Sequence, residues 1–196
     1  MAAATAAARI PLFPLGTVLF PGGLLPLQIF EQRYMTMAKT CLRDSSGFGV
    51  CLIRHGAEVG APATPELIGC SAKIVQWDMA QLGVLKIVAQ GEHRFRVEAT
   101  SVQDDGLVLG EVEFLPEEAE APVPEPLLPC RTLLERILAE HGERLFAKPF
   151  RLDSSAWVSA RLAEVLPLAP NVRQTLLEMD GLARLEALAR LLVQKA

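Results

Sequence analysis

Hydrophobic and polar positions alternate with two different periods along this chain, and the change of period divides it. Residues 10–34 are almost wholly apolar, but Pro11, Pro14, Pro21 and Pro26 with Gly16, Gly22 and Gly23 cut the run into short pieces. A membrane-spanning helix needs about 20 apolar residues with an intact backbone. Four prolines, each lacking an N–H, exclude that reading and predict short strands and turns in a core. From Phe30 to Asp44 the period becomes helical, with Phe30, Tyr34, Met37 and Cys41 on one stripe, and Asp44-Ser45-Ser46-Gly47 stops it. Phe48–Ile53 reads as a buried strand and 55–68 as a loop.

A β meander is predicted next. Cys70–Trp77 and Val84–Ala89 are strands about a turn at 78–83. Gln90–Glu92 reads as a tight turn into His93–Thr100. There Phe95, Val97 and Ala99 alternate with Arg94, Arg96 and Glu98, the pattern of a strand with one wet face. Gln103-Asp104-Asp105-Gly106 predicts a hairpin into Leu107–Leu115, since Asp-Gly suits positive φ. Residues 117–129, rich in proline and glutamate, read as a stiff solvated linker, with Glu117, Glu118, Glu120 and Glu125 in water. Beyond it the pattern is helical throughout. Helices are expected over Arg131–Glu143, from an N-cap at Asp153-Ser154-Ser155 to Val165, over Pro170–Glu178, and from Asp180 onward along Leu182, Leu185, Leu188 and Leu192. The fold class is therefore α+β: a β-rich lobe over 9–116, the linker over 117–129 and a helical lobe over 130–196.

Composition narrows the function. The net charge of −4 supplies no basic footprint for nucleic acid. Cys41, Cys51, Cys70 and Cys130 form no CxxC pair, and His55, His93 and His141 are scattered. No metal site or cofactor is predicted. Buried thiols and the lack of a basic n-region before an apolar stretch place the chain in the cytoplasm, with no membrane partner. No phosphate-binding loop and no nucleophile elbow occur. Ser71 and Lys73 share a strand face, where a polar surface is the simpler reading than a catalytic dyad. The chain is expected to bind rather than catalyse. Trp77, Met79 and Leu82 flank a turn and can form an apolar contact patch. Phe20, Leu24 and Leu25 form a second candidate set, although a core role suits them better.

The ordered pieces also carry a resemblance. The run Ile10-Pro-Leu-Phe-Pro-Leu-Gly to Ile29-Phe-Glu-Gln-Arg-Tyr34 resembles the opening of the Lon protease N-terminal domain. Phe48-Gly-Val, Gly69-Cys-Ser-Ala72, Gly91-Glu-His-Arg-Phe-Arg96 and Gln174-Thr-Leu-Leu-Glu178 agree with it over residues 9–195. The resemblance implies a PUA-like β pseudo-barrel followed by a helical bundle. It implies recognition of unfolded or tagged polypeptide, with self-association or a separate protease as further partners. ATPase and protease modules of full Lon proteases have no counterpart in these 196 residues, so the expectation is a stand-alone, non-enzymatic domain. A small-molecule-sensing or regulatory barrel is the alternative.

Overall fold

A computed structural model describes residues 7–81 and 83–194, with backbone alone at 80, 81, 143, 144 and 194. The chain divides into two compact units at Pro116/Glu117.

The first unit is a six-stranded mixed sheet wrapped around an apolar core. Its strands are β1 (Ala7–Leu15), β2 (Leu24–Ile29), β3 (Phe48–His55), β4 (Thr64–Gln81), β5 (Val84–Val102) and β6 (Val108–Phe114), with helix α1 (Gln32–Asp44) after β2. The order is β2-β5-β4-β3-β1-β6, and a further β5–β6 pairing closes five strands into a barrel. β2 hangs on the first half of β5, outside that closed circuit. Only β1 and β3 run parallel.

The prolines of the opening run fit this sheet for a local reason. β1 pairs with β6 over Ala7–Leu12 and with β3 over Leu12–Leu15. Pro11 and Pro14 thus each stand where the strand has a partner on one side only, the setting in which a missing N–H is tolerated. Phe13 stacks on Tyr34 of α1 with ring centroids 4.0 Å apart. Together with Phe48, Ile29, Leu85 and Ile87 they form the main core. Each such side chain taken from water contributes about 1.5–3 kcal/mol.

Four expectations are corrected here. Phe30 precedes α1 and is 59% exposed, so the buried stripe is Tyr34, Met37 and Cys41 without it. Residues 64–68, expected in a loop, belong to β4. No turn occurs at Gln90–Glu92: β5 runs unbroken for 19 residues. Gly91 serves a close approach instead. A Cβ there would lie 2.3 Å from the Phe20 carbonyl oxygen, and the Gly91 N–H donates to Gly23 O at 2.9 Å. Phe20, a candidate contact residue, is 0% exposed and belongs to the core. The turn before β6 forms as expected, with Gly106 at φ 84° and Asp105 Oδ1 accepting from the Leu107 N–H at 2.9 Å.

The second unit holds α2 (Leu128–Leu145), α3 (Ser155–Val165), α4 (Pro170–Glu178) and α5 (Gly181–Gln194). Ser154 Oγ accepts from the Trp157 N–H at 3.3 Å, and Asp180 Oδ1 from the Ala183 N–H at 3.0 Å, so both expected N-caps form. α3 is buried on nearly every side, from Val158 to Ala163. The stretch read as a solvated linker is built into this unit. The Val123 N–H donates to Asp153 O at 3.0 Å and the Ser155 N–H to Ala121 O at 2.8 Å.

Candidate functional site

Toward the far end of the β4–β5 hairpin β4 becomes exposed while Leu85 and Ile87 of β5 stay in the core, and the sheet register explains what β4 carries there. A register shift between Ile74 and Gln76 rotates β4 relative to β5. Beyond it three cross-strand rows continue into β2: Gln76, Val88 and Pro26; Trp77, Ile87 and Leu27; Asp78, Lys86 and Gln28. These nine residues line a shallow groove of about 380 Å³. Ile87 belongs to the buried core, while Trp77 is 61% exposed. Met79 and Val75 are also exposed on this part of β4.

A second hollow, of about 170 Å³, shares Pro26, Leu27 and Gln28 with the first. It continues along the end of β2 to Phe30, Glu31, Glu58 and Val59. Exposed Phe30 and Val59 extend the apolar surface. Glu58 Oε1 accepts from the Gly16 N–H at 2.6 Å, and Glu31 pairs with Arg33 at 3.0 Å, which fixes the rim.

Of the residues singled out from sequence, Trp77 lines the first groove and Met79 stands exposed two residues beyond. Leu24 and Leu25 are half-buried on β2, with Leu25 packed against the core. Leu82 lies outside the described residues. Leu27, Phe30 and Val59 were missed. The only sequence signal for Leu27 was its place next to Pro26 in an edge strand. Val59 lay in a loop whose fold could not be anticipated.

Ser71 and Lys73, the pair weighed as a dyad, are each engaged with a different neighbour. Ser71 is buried, not on a wet face, because it sits at the register shift between Cys70 and Ala72, where its Oγ accepts from the His93 N–H at 3.1 Å. Lys73 pairs with Glu92 at 2.9 Å. Burial pushes the Cys51 thiol up to about 12 and raises those of Cys41 and Cys130. Such thiols are protonated at neutral pH and are poor nucleophiles. No group of three or more potential metal ligands occurs among the described residues.

The helical unit has a charged centre, and one of its members, Glu118, was expected in water. Arg184 is 1% exposed. Its Nε donates to Leu176 O at 2.8 Å, Nη2 to Met179 O at 2.9 Å, and Nη2 also to the Glu118 carboxylate. Glu118 is therefore corrected from a solvated residue to a mostly buried one, with 11% of its side chain exposed. Nearby, Arg161 pairs with Glu164 at 2.7 Å, and Arg173 donates to Glu164 O and Leu166 O, each at 3.1 Å. Burial pushes the Glu164 carboxyl up to about 7, against the pull of Arg161.

This has a consequence for stability. Between about pH 4.5, the ordinary value, and about 7 the folded state holds a proton that the unfolded state has lost. Stability contributed by this group is thus greatest at acid pH and falls as pH rises to 7. Thermal melts at pH 5 and 7.5 are expected to show that fall in the wild type and a smaller one in Glu164→Gln. Equal pH dependence in the two proteins would refute the assignment.

The whole arrangement matches a known family. The model of the ATP-dependent protease La (LON) substrate-binding domain covers residues 9–194, and the chain belongs to that family. A Lon N-terminal domain protein from Xanthomonas campestris is 38% identical, with a TM-score of 0.78 over 93% of this chain and 98% of that one. The N-terminal domain of Mycobacterium avium complex Lon protease has the same fold at 20% identity, with a TM-score of 0.66 over 92% and 96% of the two chains. A Lon protease of Methylocella silvestris is 26% identical over 190 residues, and protein cereblon of Danio rerio 30% over 123. These alignments take in 92% and 61% of this chain, but only 23% and 27% of those longer proteins. Among the described residues no helix is long and apolar enough to cross a membrane.

Proposed function

We propose that this domain binds unfolded or tagged polypeptide through the β2-β5-β4 face, by contact and without chemistry of its own. One observation carries the reading: a Trp77-centred band of exposed apolar side chains lies along a groove in a domain of the LON substrate-binding family. Exposed apolar patches of this kind mark interaction sites. An unfolded chain differs from its folded form chiefly in offering apolar side chains and free main chain, and this face can accept both. Met79, Leu24 and Leu25 are assigned to the margins of the same surface. The bound polypeptide is destined for a separate protease in the cytoplasm, a setting consistent with four buried cysteine thiols.

The test compares one probe protein in two states. Immobilised domain should retain a reduced, carboxymethylated protein that cannot fold and release the native form of the same protein. Equal retention of the two forms, or of neither, would sink the reading.

A further inference from the structure

We propose that β2 receives an extended polypeptide segment as an added strand, read by main-chain hydrogen bonds and carrying a cationic side chain beside its apolar ones. The inference rests on the polypeptide reading above and adds how the segment is held.

The register decides which main-chain groups face outward. The Gly91 N–H donates to Gly23 O at 2.9 Å, and residues pair as Leu24 with Gln90 through Ile29 with Leu85. In an antiparallel ladder, opposed pairs alternate between bonded and non-bonded. A bonded Gly23–Gly91 position makes Leu25, Leu27 and Ile29 the residues bonded to β5. Leu24, Pro26 and Gln28 therefore turn their main chain away from β5. Pro26 fits this phase independently: its missing N–H falls where β5 asks for none. The outer edge thus presents the N–H of Leu24 and Gln28 and three carbonyls at strand spacing. β2 has β5 as its one strand neighbour among the described residues.

The two hollows bracket the same stretch. Pro26, Leu27 and Gln28 line both, so a strand laid on this edge would have room for side chains directed to alternate faces. Trp77 borders one hollow, and Phe30 with Val59 the other. Their charge sets the remaining preference. The linings carry Glu31, Glu58 and Asp78 against Lys86, and Arg33 answers Glu31 alone. The excess is negative, which favours a lysine or arginine on the bound segment and disfavours an acidic one.

The test uses Gln28→Pro, which deletes one outward N–H and repeats at 28 what Pro26 already does at 26. Gln28→Val, which loses the same side chain but keeps the N–H, is its control. The probe is a fluorescein-labelled peptide of alternating valine and threonine flanked by arginines. A second version is N-methylated at every amide of its valine–threonine stretch, so that neither edge can donate, and a third has its arginines replaced by glutamates. Gln28→Pro is expected to bind the parent peptide about tenfold more weakly than Gln28→Val, the loss expected of a main-chain hydrogen bond. Wild type is expected to lose at least as much with the N-methylated peptide, and several-fold with the glutamate peptide. Because the peptide arms use wild-type protein, they stand even where Gln28→Pro fails to fold. Undiminished binding of the N-methylated peptide, or equal binding by the two variants, would overturn edge pairing. Equal binding of the glutamate peptide would overturn the cationic preference. If the carboxymethylated protein is still retained, the polypeptide reading survives those failures; if it is not, both fall.

Discussion

Trp77→Ala is expected to weaken binding of an unfolded polypeptide by tenfold or more while leaving the melting temperature nearly unchanged. The two halves of that expectation have one physical source. The indole is 61% exposed, so the folded domain loses little burial when it is removed. Surface substitutions of this type stay within about 0.5 kcal/mol of stability. A partner covering the indole would desolvate a large aromatic surface, and truncating such an anchor costs about 2 kcal/mol or more, well over tenfold in affinity. Adding Met79→Ala should deepen the loss. Anisotropy titrations with a labelled unfolded protein, paired with thermal melts, read both quantities. A variant that melts like wild type and binds like wild type would remove Trp77 from the site.

The second large effect concerns the helical unit. Arg184→Met is expected to destabilise it by about 3–5 kcal/mol, the range for removing one partner of a buried ion pair. On a chain of this size that lowers the melting temperature by on the order of 10 °C. The arginine holds the Leu176 and Met179 carbonyls at the end of α4 and just past it, and the carboxylate of Glu118 from the segment before α2. Removal takes the guanidinium donor from all three and the positive charge from beside a mostly buried carboxylate. Glu118→Gln keeps a polar acceptor for the guanidinium and should cost less. Far-UV circular dichroism melts decide the matter: a shift below about 2 °C for Arg184→Met would show that the network does not hold the unit.

What could be read from the residues followed the rules that act locally. N-caps at Ser154 and Asp180, the Asp105-Gly106 turn and the helix over Pro170–Glu178 need only a few neighbouring residues, and all were legible. The ordered run from Ile10 to Tyr34 made the family legible as well. Errors arose where a residue type serves two purposes. Gly91 between Gln90 and Glu92 has the composition of a turn, yet it lets the Phe20 carbonyl approach a continuous strand. Glu118 in a proline-rich acidic run has the composition of a solvated linker. Its partner Arg184 lies 66 residues away, on a helix where an arginine ordinarily faces water. Phe30 satisfies helical spacing with Tyr34 but falls before the helix begins. Of the proposed surface, sequence reading named Trp77 and Met79 on β4 and Leu24 and Leu25 on β2. Its other side, Leu27 with Phe30 and Val59, depends on β2 pairing with β5 rather than with its neighbours in sequence.

The most direct measurement is a titration of the ¹⁵N-labelled domain with an unlabelled, permanently unfolded protein, followed by amide chemical shifts. Perturbations concentrated at residues 24–30, 58–59 and 75–88, saturating together, are the predicted result. Saturable shifts confined to other surfaces, or a spectrum that does not change, would contradict the account.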